Sequence, residues 1–146
     1  MPASLLPDNS SLQCPSARPE MPGSVVFGVI RELDGRAFVQ HLAEPFAVTA
    51  DILALAGEAS PGEVFRFAAA CATDACAHFD GANCRLAQKL VASDLDRVGA
   101  MPPCRIRAEC RWFAQEGKSA CLVCPLIFSE NAAPAPELAH AADPRS

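Results

Sequence analysis

CRIRAECRWFAQEGKSACLVCP, residues 104–125, packs half of the chain's eight cysteines into one short segment. Its cysteines, Cys104, Cys110, Cys121 and Cys124, follow the pattern Cys-x5-Cys-x10-Cys-x2-Cys, a complete set of four thiols. Four protein ligands this close in sequence meet the need of a tetrahedral zinc ion or a cubane iron–sulfur cluster, because the sulfurs converge without long loops to order. Upstream lies a second group, Cys71-x4-Cys76-x-His78-x5-Cys84, in which an imidazole sits among three thiols. The two groups hold all but one of the eight cysteines. The remaining one, Cys14, falls in a Pro/Ser-rich segment and reads as a bystander.

The residues around the thiols bear on which metal is bound. Zinc ribbons place glycine after the second cysteine of Cys-x2-Cys, so that backbone amides meet the sulfur. Here Pro125 follows Cys124 and offers no amide. Cys-Pro also ends the ferredoxin-type cluster run, although the rest of that spacing is absent. The expected cofactor is therefore an iron–sulfur cluster of the 4Fe-4S kind, with zinc as the alternative. Its ligands would be Cys71, Cys76, His78, Cys84, Cys104, Cys110, Cys121 and Cys124, in one site or two. Arg105, Arg107 and Arg111 are placed to offset thiolate charge, and Trp112 to exclude water.

Composition sets the wider frame. A chain of 146 residues fits one core. No apolar run approaches the ~18–20 residues that span a bilayer. The N-terminus has neither a basic start nor an apolar stretch, so it does not read as a secretory signal, and the expected address is the cytoplasm. A reducing compartment favours thiolate ligation over disulfides. Residues 1–62 carry three basic and seven acidic side chains, against eight basic and six acidic over 66–128, so the cysteine region is the basic part.

Local signals give an α+β fold: a small N-terminal antiparallel hairpin or sheet, then short helices organised around the metal. β-branched runs at 24–31 and 36–42 flank Asp34-Gly35, a hairpin turn, and 45–48 is a third extended piece. Gly28 marks a bulge. Thr49 caps a helix that Gly57 ends. Ser60-Pro61-Gly62-Glu63 reads as a capping box opening a helix that runs through Ala70 and delivers Cys71. Further helices are expected over 84–91 and 108–116, the latter closed by Gly117, and a last turn begins at Ser119. Residues 1–22 and 130–146 read as disordered tails flanking one domain at 23–129.

Dinucleotide, P-loop, metalloprotease and serine-hydrolase signatures are all missing, so catalysis is not the expected role. Asp74 and Asp80 read as turn caps, and neither His41 nor His140 supports catalysis. The function expected is electron transfer or redox sensing as an accessory to a larger enzyme. Its protein partner, a redox enzyme or a second copy, would dock through the hairpin; nucleic acid is the weaker reading and a membrane is excluded. A structural-zinc adaptor is the first alternative, and an exported disulfide-stabilised binder the second.

Overall fold

The computed structural model describes residues 12–72, 75–93 and 95–127, together with Ala139, Ala141 and Ala142. A four-stranded antiparallel sheet is assembled in the order β1-β4-β2-β3 from β1 (Gln13–Ala17), β2 (Val25–Leu33), β3 (Arg36–Ala47) and β4 (Phe65–Ala70). Short helices α1 (Ala50–Ala54), α2 (Pro61–Val64), α3 (Arg85–Ala92), α4 (Arg111–Glu116) and α5 (Lys118–Val123) surround it. The α+β expectation holds at this level.

The β2–β3 hairpin turns at Asp34 and Gly35, whose φ of 53° and 78° are the left-handed values a tight primed turn requires. Both ladders of β2 shift register between Val26 and Gly28, so the expected bulge is present. Opposite β4 the extra residue is Phe27, and the bulge re-aims its ring into the interior. Gly28 is required by close approach: a Cβ there would meet Val39 Cγ1 at 2.5 Å and Arg66 Cβ at 3.5 Å. The extended piece expected at 45–48 is largely the far end of β3, beyond a wide bulge between His41 and Phe46. Pro45 fits there because this is an edge strand.

Two expectations are corrected. The helix opened at Ser60-Pro61-Gly62-Glu63 stops at Val64 and lacks the expected capping box, since the Ser60 side chain makes no cap hydrogen bond; residues 65–70 are β4, paired on one side with β1 and on the other with β2. Alanine's helical preference loses to this pairing because a strand buried on both faces packs most closely with small residues between its phenylalanines. The second correction concerns the expected tails. Residues 13–17 form β1, and Ala141 is fully buried with Ala87, Leu90 and Trp112. Residues 1–11, His140 and most of the expected C-terminal tail lie outside the described residues.

Cores form on either side of the sheet. Val26, Phe65, Phe67 and Ala69 pack under Ile52 and Leu53 of α1, whose N-cap Thr49 accepts from Ile52 N at 3.2 Å. The other core joins α3, α4 and α5 through Leu90, Trp112, Ala120 and Val123. Between sheet and helices lies Arg66, with 0% exposure. Its Nε donates to Pro15 O at 2.9 Å, and its Nη1 donates to Cys124 O at 2.8 Å and Ile127 O at 2.7 Å. The guanidinium carbon stands 5.3 Å from the Phe27 ring centroid and 5.7 Å from that of Trp112.

Arg66→Met should cost about 3 kcal/mol or more, since three buried carbonyls lose their donor. Gly28→Ala should cost about 1–3 kcal/mol through the clash with Val39. Urea unfolding measures both, and a loss under about 0.5 kcal/mol, the range of ordinary surface substitutions, would contradict either assignment.

Candidate metal centre

Cys104, Cys110, Cys121 and Cys124 all line one apolar cavity of about 20 Å³, walled by Phe27, Ile106 and Trp112. Their convergence follows from local structure. Cys104 precedes a 3-10 turn (Arg107–Glu109), and Cys110 is the residue before α4. Gly117, at φ 69° and ψ −149°, ends α4 and starts α5 at an angle no other residue takes easily, which returns Cys121 and Cys124 to the thiol of Cys110. Burial pushes the Cys110 thiol up to about 12, against the pull of the Phe113 amide, and the nearby Cys124 adds to the rise. Cys104 is also raised, by burial first and then by Cys124 and Cys121.

His41, which sequence alone gave no role, enters the same cavity from the bulge of β3 and stacks on Phe27 with centroids 5.5 Å apart. Burial lowers its pKa from 6.5 to about 4, helped by Arg66 and Arg107, so the ring is neutral at physiological pH. Buried nitrogens belong to three residues that line this cavity and to Arg66, which lies against its Phe27 and Trp112 walls. Trp112 Nε1, Arg107 Nε, Arg66 Nη2 and His41 Nδ1 have no hydrogen-bond partner among the described residues. The first three can only donate.

The upstream group, Cys71, Cys76, His78 and Cys84, lines a separate groove of about 870 Å³. Cys71 is set there by the end of β4 and not by a helix. Cys76 and Cys84 flank a small hairpin. In it Phe79 bridges Cys84, the Arg85 amide donates to His78 O at 2.7 Å, and the His78 amide donates to Cys76 Sγ at 3.4 Å. Asp80 caps this turn, accepting from Ala82 N at 2.9 Å and Asn83 N at 2.7 Å, and these amides lower its pKa. Asp74 is outside the described residues.

Cys14 joins this groove, contrary to its reading as a bystander. Burial raises its thiol to about 12, and Cys84, Cys71 and Cys76 raise it further. Its neighbour Pro15 lines the other cavity, as alternation along a strand requires. Each cavity therefore holds four cysteines and one histidine.

α4 is the wall between the two. Trp112 faces the C-terminal cavity, while Arg111, buried and 5.3 Å from the Phe79 ring centroid, faces the groove. Gln115, one turn on, clasps the backbone of Cys84 through bonds of 2.7 Å from its N–H and 2.8 Å to its carbonyl. The arginine cluster is thus divided. Arg107 lines the C-terminal cavity, Arg111 the groove, and Arg105 neither, being a 62% exposed side chain 4.0 Å from Glu44.

All eight cysteines are free thiols. Among the described residues no three His, Cys, Asp or Glu side chains are drawn closely enough together to hold a metal ion, so the two sets share cavities without forming assembled sites. No helix among the described residues is long and apolar enough to cross a membrane.

Protonating His41 opposes the folded state, so its contribution is intact above pH 6.5 and is lost as pH falls through about 4. The urea midpoint of wild type should therefore fall more steeply across that window than that of His41→Phe. Parallel curves would contradict a buried neutral imidazole.

Comparisons of the chain with protein-family models, with curated proteins and with solved structures return no match.

Proposed function

We propose that the chain is an iron–sulfur protein that transfers electrons or senses redox state as an accessory to a larger enzyme. The observation that carries this reading is the C-terminal cavity, where four thiols are flanked by buried N–H donors without acceptors. A buried donor left unpaired is costly, and sulfurs of a thiolate centre are the acceptors this donor set fits. Charge points the same way. Arg66 is fully buried and its hydrogen-bond partners are neutral carbonyls, so its positive charge calls for an anion nearby, which thiolates supply.

An iron–sulfur cluster would supply one-electron chemistry there. The chain's own residues do the rest. Phe27, Ile106 and Trp112 exclude water, the buried N–H groups hold sulfur charge, and Arg107 favours the more negative, reduced state. Because burial raises Cys104 and Cys110, loading must displace their protons and is weaker at low pH. The protein partner would meet the hairpin, where β3 is an edge strand and Leu33 is 65% exposed.

Structural zinc is the second reading, favoured by the 20 Å³ size of the C-terminal cavity, which suits one ion better than a cluster.

Protein purified without air should be brown, absorb broadly near ~400 nm and bleach with dithionite. Cys124→Ser should lose metal from the C-terminal cavity and destabilise residues 104–127, since binding and folding are coupled. A colourless wild type carrying zinc would replace the first reading with the second, and unchanged metal content in Cys124→Ser would remove the four-thiol assignment.

A further inference from the structure

We propose that Cys14 is the fourth thiolate of a second, all-cysteine metal centre formed with Cys71, Cys76 and Cys84, so that metal ties the N-terminal strand to the sheet's far end. This rests on the metal-protein reading above and adds a ligand that the linear spacing does not contain.

The geometry comes from strand pairing. Cys14 is the register partner of Ala69 in the β1–β4 ladder, and the Cys71 amide donates to Leu12 O at 2.8 Å, continuing that ladder past the end of β4. Cys71 is therefore two residues beyond the partner of Cys14 and on the same face, a diagonal pair about 7–8 Å apart between backbones. That distance lets two cysteine side chains turn toward one ion. The other two thiols come from the hairpin of Cys76 and Cys84, closed by the Phe79–Cys84 bridge and fixed from α4 by Gln115. A pair from the sheet edge and a pair from the hairpin thus line one groove, and metal would draw them together, since among the described residues no three stand close enough to hold an ion unaided.

His78 lines the groove too and is the competitor for the fourth position. Its backbone serves the hairpin, donating to Cys76 Sγ and accepting from the Arg85 amide; these bonds do not engage the imidazole, so the His78→Ala variant decides between the two ligands. With Cys14 the upstream set becomes four thiols, matching the set at the C-terminal cavity.

The test is metal content of full-length protein purified without air: wild type, Cys14→Ala, Cys14→His and His78→Ala. Two centres in wild type should fall to about half the metal in Cys14→Ala, with His78→Ala unchanged. Cys14→His, which restores a ligand but not the packing of a thiol, should recover metal above Cys14→Ala. Alkylation of wild type covers the case in which a variant does not fold: Cys14 should be protected together with Cys71, Cys76 and Cys84 and become reactive with them when a chelator strips the metal. Full metal in Cys14→Ala, or alkylation of Cys14 while the other three stay protected, would overturn the assignment. A wild type without any metal would sink the underlying reading, a result distinct from either.

Discussion

The structure turns on one buried cation. Arg66 projects from the middle of the sheet, and its hydrogen bonds reach the strand that carries Cys14 on one side and the turn that carries Cys124 on the other. A guanidinium withdrawn from water must find acceptors for its N–H groups and an anion for its charge. Pro15, Cys124 and Ile127 meet most of the first demand, and the rings of Phe27 and Trp112 cover its faces. Among the described residues no carboxylate meets the second. The thiols do so once deprotonated, which links how the chain folds to what it is proposed to bind.

From that constraint the division of the cysteines follows. β1 is held between β4 and α4, the latter through the bridge of Gln13 with Cys110, and its alternating side chains send Cys14 one way and Pro15 the other. α4 does the same on the opposite wall with Arg111 and Trp112. The cavities differ in character. The C-terminal one is small, apolar and flanked by N–H donors, whereas the upstream groove is large and its Cys71 and Cys76 are half-buried. Burial raises the thiols of Cys14, Cys84, Cys104 and Cys110, and among the described residues neither set is drawn together closely enough to hold a metal ion. Loading would exchange protons for metal and tighten both.

Local chemistry made much of this legible. Asp34-Gly35, Thr49, Pro61 and Gly117 each do what their residue types dictate, and Gly28 marks a real bulge. The grouping of Cys104, Cys110, Cys121 and Cys124 was visible because their contacts are local. Non-local pairing was not visible. Phe65 to Ala70 looks helical until strands close on both its edges, and Cys14-Pro15-Ser16 has no β-branched residue to announce a strand. For the same reason Cys14 and His41 gave no sign of their sites, being brought to them by the sheet. Arg66 was one basic residue among eight in the 66–128 stretch, and only burial on both sides shows its role.

Whether the two four-cysteine sets bind metal is decided by native mass spectrometry of the 146-residue chain, kept free of oxygen throughout. It weighs the intact protein with whatever it carries and counts centres without assuming their chemistry. Two separate mass increments above the bare chain are expected, each lost in a single step as acid protonates the thiols, because each four-cysteine set binds as a unit. A bare chain mass, from protein folded by circular dichroism, would contradict the account.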